Sequence, residues 1–97
     1  MNGPVGLRYH PAVRDEDLPR IDARQRAMLA RAIAHRLGGG PARCGEPLRR
    51  TLKGYWKLRV GDWRIVFKPA GKEIWIFAVI DRRDVYEIVS SRLGWHG

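Results

Sequence analysis

The stretch Tyr55-Trp56-Lys57-Leu58-Arg59-Val60-Gly61-Asp62-Trp63-Arg64-Ile65-Val66-Phe67-Lys68 decides the fold. Residues 55–60 alternate strictly, which is the period of a half-buried strand. Gly61-Asp62 is a two-residue hairpin loop, with glycine where a type II′ turn prefers it. Residues 63–68 then return as the partner strand. A two-residue turn fixes the register. Val60 should face Trp63, Arg59 Arg64, Leu58 Ile65, Lys57 Val66, and Trp56 Phe67. One face then carries Trp56, Leu58, Val60, Trp63, Ile65 and Phe67 and belongs to the core. The other carries Tyr55, Lys57, Arg59, Arg64, Val66 and Lys68.

Working outward, Pro69-Ala70-Gly71-Lys72 turns the chain again, and residues 74–80 form a near-continuous apolar run. Such a strand is covered on both faces. Asp84 caps a short last helix from about Val85 to Leu93. Upstream, Leu7-Arg8-Tyr9-His10 reads as a first strand. Pro11 opens a helix whose first turns hold Asp15, Glu16 and Asp17, until Pro19 interrupts it. Asp22 is the N-cap of a second helix to about Leu37, with Met28, Leu29, Ala32, Ile33 and Leu37 along one stripe. Arg24, Arg26, Arg31 and Arg36 fall largely off that stripe and read as a solvated face. Residues 38–54 read as a Gly-, Pro- and Arg-rich loop anchored by Leu48 and Leu52. The expected fold is a single α+β domain over residues 1–97, with its core at about 7–93. It has an N-terminal strand, a helical pair, a three-strand antiparallel meander completing a four-stranded sheet, and a short C-terminal helix.

Composition narrows the function. The chain has 97 residues, 19 Lys and Arg against 10 Asp and Glu, and a formal charge of +9. So strong a field attracts polyanions, nucleic acid first, then an acidic protein or an anionic membrane surface. Between Arg43 and Lys72 stand nine cations and two acids, Glu46 and Asp62, so the charge is concentrated around the hairpin. The one cysteine, Cys44, can form no internal disulfide, and no Cys/His spacing suggests zinc. No apolar stretch is long enough to span a bilayer, and no signal-peptide core appears. A cytoplasmic protein without metal or cofactor is expected, with no membrane partner.

The polar face of the hairpin sets Arg59 across from Arg64, with Lys57 two residues along. Opposed like charges destabilise a sheet, on the order of ~0.2–1 kcal/mol. Two readings stay open: the long side chains splay into water, or an anion bridges them. Arg82 or Arg83 should emerge near the hairpin at the end of the last strand. Tyr86 follows, either as a core residue or as a ring that stacks on an exposed base.

The run from Leu52 to Phe67 resembles the central hairpin of the RelE/ParE toxin superfamily, whose members show a leucine, a glycine, a Y/W-K-L-R strand and then G-D-Y-R-I-V-Y. Ile80-Asp81-Arg82-Arg83-Asp84-Val85-Tyr86 resembles the I-G-H-R-x-x-V-Y segment that follows the last strand. Asp17-Leu18 and the helical pair also agree, so the resemblance spans roughly residues 7–93.

The resemblance implies the RelE-like branch: a type II toxin that cuts messenger RNA on the ribosome and is inhibited by a cognate antitoxin. Carried over, Lys57, Arg59, Arg64, Arg83 and Tyr86 match the active residues. Arg49, Arg50, Lys53, Lys68 and Arg82 are additional candidates for RNA contact. The implied reaction is attack of a 2′-hydroxyl on the adjacent phosphate, leaving a cyclic phosphate and a 5′-hydroxyl. Arg59 and Arg64 would stabilise the charge that grows in the transition state. Arginine stays protonated, so Lys57 is the candidate base. Arg83 would balance charge on the leaving oxygen, and Tyr86 would stack on or orient the substrate. Asp81-Arg82 stands where Gly-His is common, and Arg59 stands where some members have lysine. His10, His35 and His96 match no motif position and read as structural or surface residues. Two alternatives remain: a ParE-like gyrase poison, and a non-catalytic basic module that binds RNA or protein.

Overall fold

The computed structural model describes residues 6–37, 45–48 and 54–92. One mixed sheet of five strands organises them. Its strands are β1 (Gly6–Tyr9), β2 (Glu46–Pro47), β3 (Trp56–Val60), β4 (Trp63–Ala70) and β5 (Glu73–Asp81), in the order β1-β5-β4-β3-β2. β1 runs parallel to β5 and every other pairing is antiparallel. The helices are α1 (Ala23–Leu37) and α2 (Val85–Arg92). None of the described helices is long and apolar enough to cross a membrane.

The hairpin forms in the expected register, from Trp56↔Phe67 through Arg59↔Arg64 to Val60↔Trp63. Gly61 adopts φ +59°, the left-handed conformation a primed turn requires at that position. Asp22 caps α1: its Oδ1 accepts the Gln25 amide at 2.8 Å. Leu29, Ile33 and Leu37 then point from one stripe of α1 into the main core, against Leu58, Ile65, Phe67, Ile74, Ile76 and Val79. Burying each such aliphatic side chain contributes roughly 1.5–3 kcal/mol before entropy is charged against it.

Three features depart from the sequence expectation. The sheet has five strands, not four, because Glu46–Pro47 pairs with Trp56 and Lys57 at the edge where a loop was expected. Gly45 permits this: a Cβ there would sit 2.8 Å from Cζ of the buried Phe67 ring. The segment before α1 is not a regular helix but a wide π turn over Val13–Asp17 followed by a 3₁₀ turn over Leu18–Arg20. Third, β5 carries a bulge. Val66 pairs with Ala78 and Phe67 with Ile76, so Phe77 is the extra residue.

The second face of the sheet is partly covered, as the apolar run of β5 requires. Val85 and Val89 of α2 pack with Val66, Ala78, Ile80 and the loop anchor Leu48. The other expected anchor, Leu52, lies outside the described residues, as do Cys44 and His96.

β1 pairs with β5 only as far as Ile76, which leaves the next backbone groups of β5 without a strand neighbour. A buried ion pair takes that place. Asp17 Oδ2 accepts the Val79 amide at 2.9 Å, and the Phe77 carbonyl accepts from Arg92 Nη1 at 2.8 Å. Arg92 forks onto both oxygens of Asp17 at 2.8 Å each. That hydrogen bond raises the guanidinium pKa above its ordinary value. The pair thus satisfies buried backbone and side-chain groups together.

Candidate functional site

The polar face of the hairpin is accessible. Arg59 is exposed, Arg64 and Lys57 are half-buried, and all three share one side of the sheet by register. Neither arginine is sealed beneath a helix. The Arg59 side chain makes no ion pair or hydrogen bond among the described residues. Its carbonyl accepts from Arg36 Nη1 at 2.9 Å, tying α1 to β3. Arg64 folds over the hairpin turn, with Nη1 donating to the Gly61 and Trp63 carbonyls at 2.9 Å each. Those two bonds orient one edge of its guanidinium and leave Nε and Nη2 without a partner among the described residues. Arg59 and Arg64 are thus cross-strand partners by register, and neither pairs with a carboxylate among the described residues.

α2 brings Tyr86 to the same place. Its ring is exposed rather than part of the core, and Lys57 Nζ lies 6.0 Å from the ring centroid. Lys68, farther along the face, lies with Nζ 5.1 Å from the Tyr55 centroid.

Arg82 and Arg83 do emerge beside the hairpin. The Arg82 amide donates to the Asp62 carbonyl at 2.9 Å, and its guanidinium lies 4.0 Å from the Asp62 carboxylate. Arg83 is held by Asp81: Nε and the Arg83 amide both reach Oδ1 at 2.9 Å. That side-chain hydrogen bond holds the Asp81 carboxyl below the usual carboxylate range and raises the Arg83 guanidinium. Arg83 stands just past the end of β5, with its guanidinium paired to Asp81. Arg49, Arg50 and Lys53 lie outside the described residues.

Sequence reasoning missed one residue. Glu46 pairs in register with Lys57, so β2 places an acidic residue on the cationic face, outside ion-pairing distance of the lysine. The only signal was that Glu46 is one of two acids in a basic stretch. The histidines behave as expected where described: His10 Nδ1 accepts the Ala12 amide at 3.1 Å and packs on Phe77, and His35 is exposed.

Comparison with known proteins gives a consistent picture. The chain is similar to the toxin–antitoxin complex RelBE2 from Mycobacterium tuberculosis, at 28% identity over 87% of this chain and 98% of that one, with a TM-score of 0.76. It shares its fold with the RelB–RelE antitoxin–toxin complex from Methanococcus jannaschii, at 17% identity over 84% of this chain and 96% of that one, with a TM-score of 0.63. It also shares it with YafQ from E. coli, at 16% identity over 84% and 98% of the two chains, with a TM-score of 0.57. No curated protein sequence matches. A family described as the ParE toxin of type II toxin–antitoxin systems matches residues 7–86. With most of its length accounted for in this way, the chain belongs to that toxin family, within the RelE/ParE superfamily.

Proposed function

We propose that this toxin is a ribosome-dependent endoribonuclease that cleaves messenger RNA by 2′-hydroxyl attack. The observation that carries the reading is the cross-strand pair Arg59–Arg64, which no carboxylate pairs with among the described residues, with Lys57 and Tyr86 beside it on the same face. A phosphate between the guanidiniums converts their repulsion into charge-assisted hydrogen bonds. The transition state carries more negative charge on that phosphate than the ground state, so fixed guanidiniums favour it selectively. Tyr86 offers its ring to an unstacked base.

Two side chains bear on the 2′-hydroxyl proton. Lys57 is the base expected from the sequence. Glu46, across from Lys57, supplies a carboxylate acceptor. In the arrangement we favour, Glu46 draws the proton while Lys57 stabilises the phosphate. Arg83, released from Asp81, would balance charge on the departing 5′-oxygen.

The partner is a cognate antitoxin, supported by likeness to toxins whose structures were determined as toxin–antitoxin complexes. An acidic or amphipathic helical tail suits a chain of charge +9. An antitoxin partner and a ribosomal target support a cytoplasmic location.

A second reading has its own support, since the matching family is named for ParE. On that reading the chain poisons DNA gyrase and cuts no RNA. Translation of a defined message followed by primer extension separates the two. Breaks within codons support the ribonuclease, whereas accumulation of gyrase–DNA complexes with an intact message supports the gyrase poison.

A further inference from the structure

Two lysines on the cationic face are held in the same way. Lys57 lies over the Tyr86 ring at 6.0 Å and Lys68 over the Tyr55 ring at 5.1 Å. An aromatic face holds a cation in place without neutralising it. Other arginines near the sheet ends are compensated: Arg8 Nε is 2.6 Å from Glu73, and Arg83 Nε is 2.9 Å from Asp81. Neither lysine has a carboxylate within ion-pairing distance among the described residues. Lys57 pairs with Val66, and Lys68 follows two residues later. Their backbones are therefore on the order of ~8 Å apart by strand spacing and rise.

The surroundings of Lys68 are built rather than incidental. The Tyr55 ring stands edge-on to Phe77 at 5.1 Å, and Phe77 packs on His10 at 5.7 Å, so the ring beneath Lys68 is buttressed. Trp75 lies directly across from Lys68 in register, on the same side of the sheet, and the residue is 37% exposed. Val85 and Val89 of α2 pack over Val66, Ala78 and Ile80. Along the edge of that cluster, exposed Arg59, half-buried Lys57 and Tyr55, and exposed Lys68 share the polar face with Trp75 by register, Tyr55 packing against the cluster itself. An open indole beside an uncompensated ammonium is the combination that single-stranded nucleic acid uses, ring for base and cation for phosphate.

We propose that Trp75 and Lys68 form a second RNA subsite, which seats a nucleotide flanking the phosphate held by Arg59 and Arg64. The inference rests on the reading of that arginine pair as an RNA site. One base stacks on the indole and its phosphate meets Lys68. Stacking does not read base edges, so the subsite adds affinity without demanding one sequence.

The test uses fluorescence anisotropy with labelled 2′-O-methyl oligoribonucleotides, which bind without undergoing 2′-attack. A short oligomer of about three nucleotides spans only the arginine pair, and a longer one of about ten reaches Trp75. Trp75→Ala is expected to weaken the longer oligomer about tenfold and leave the short one unchanged, with Trp75→Phe restoring most of the loss. Arg64→Ala should weaken both. If Trp75→Ala binds both like the parent while Arg64→Ala weakens both, the second subsite is overturned and the first stands. Equal loss of both oligomers in Trp75→Ala also overturns it, since the effect is then not confined to a distant nucleotide. If Arg64→Ala weakens neither, the underlying reading fails and the subsite fails with it.

Discussion

Arg59 and Arg64 are direct cross-strand partners on the open side of the hairpin, and no carboxylate pairs with either among the described residues. A sheet selected only for stability would not keep this arrangement, because opposed like charges cost on the order of ~0.2–1 kcal/mol. Arg59→Ala should therefore leave stability unchanged or slightly raised in urea denaturation. The same substitution should lower RNA cleavage by about a hundredfold or more, the order seen when one charge-stabilising donor is removed. A marked loss of stability would mean that Arg59 serves the fold instead.

Under the proposed mechanism Glu46 takes the 2′-hydroxyl proton and Lys57 stabilises the phosphate. Glu46 is exposed, so Glu46→Gln should fold normally and bind a non-cleavable RNA like the parent. Its single-turnover cleavage should fall by about 10²-fold or more, the usual weight of a general base. Lys57→Ala should weaken RNA binding as well as cleavage. Full cleavage by Glu46→Gln would return the base role to Lys57.

Asp17 and Arg92 lie 75 positions apart in the chain, yet their side chains are 2% and 8% exposed and form a fork. Asp17→Ala strands a near-buried guanidinium and the Val79 amide together. A loss of about 3–5 kcal/mol in denaturant unfolding is expected, the range for breaking one side of a buried pair. Paired replacement of both residues should cost less than the sum of the single changes. Strict additivity would show that the two do not interact.

The Asp81–Arg83 pair gives a pH signature. Its folded carboxyl pKa is depressed, chiefly by the Arg83 hydrogen bond. The stabilisation it contributes is therefore present above the ordinary carboxylate range and is lost as pH falls through the folded value. By NMR titration, Arg83→Ala should move Asp81 back up toward the ordinary range. A bound non-cleavable RNA should do the same if Arg83 leaves Asp81 for a phosphate. An Asp81 titration indifferent to RNA would remove Arg83 from the site.

Much of the site was legible because local chemistry sets it. Gly61-Asp62 fixed the hairpin register, and strict alternation then assigned each side chain to a face. The unbroken apolar run 74–80 announced a strand covered on both sides; α2 and Leu48 cover the second face at Ala78 and Ile80, while Trp75 stays exposed. β2 was not legible, since two residues carry no period and Glu46–Pro47 sits in a Gly- and Arg-rich loop. Its consequence, an acidic residue in register with Lys57, was hidden for the same reason. The bulge at Phe77 and the Asp17–Arg92 fork arise from tertiary packing between distant segments, which no sequence window contains. The partnership of Arg83 with Asp81 was hidden in plain sight: two residues apart, they read as ends of a turn until their side chains were seen to meet.

The most direct measurement follows a single message through a reconstituted translation reaction, with the parent protein and with an Arg59→Ala, Arg64→Ala double variant. The parent should produce new 5′-hydroxyl ends inside codons only when ribosomes are present, and the folded double variant should produce none. An intact message with the parent protein, or unchanged cutting by the double variant, would contradict the account.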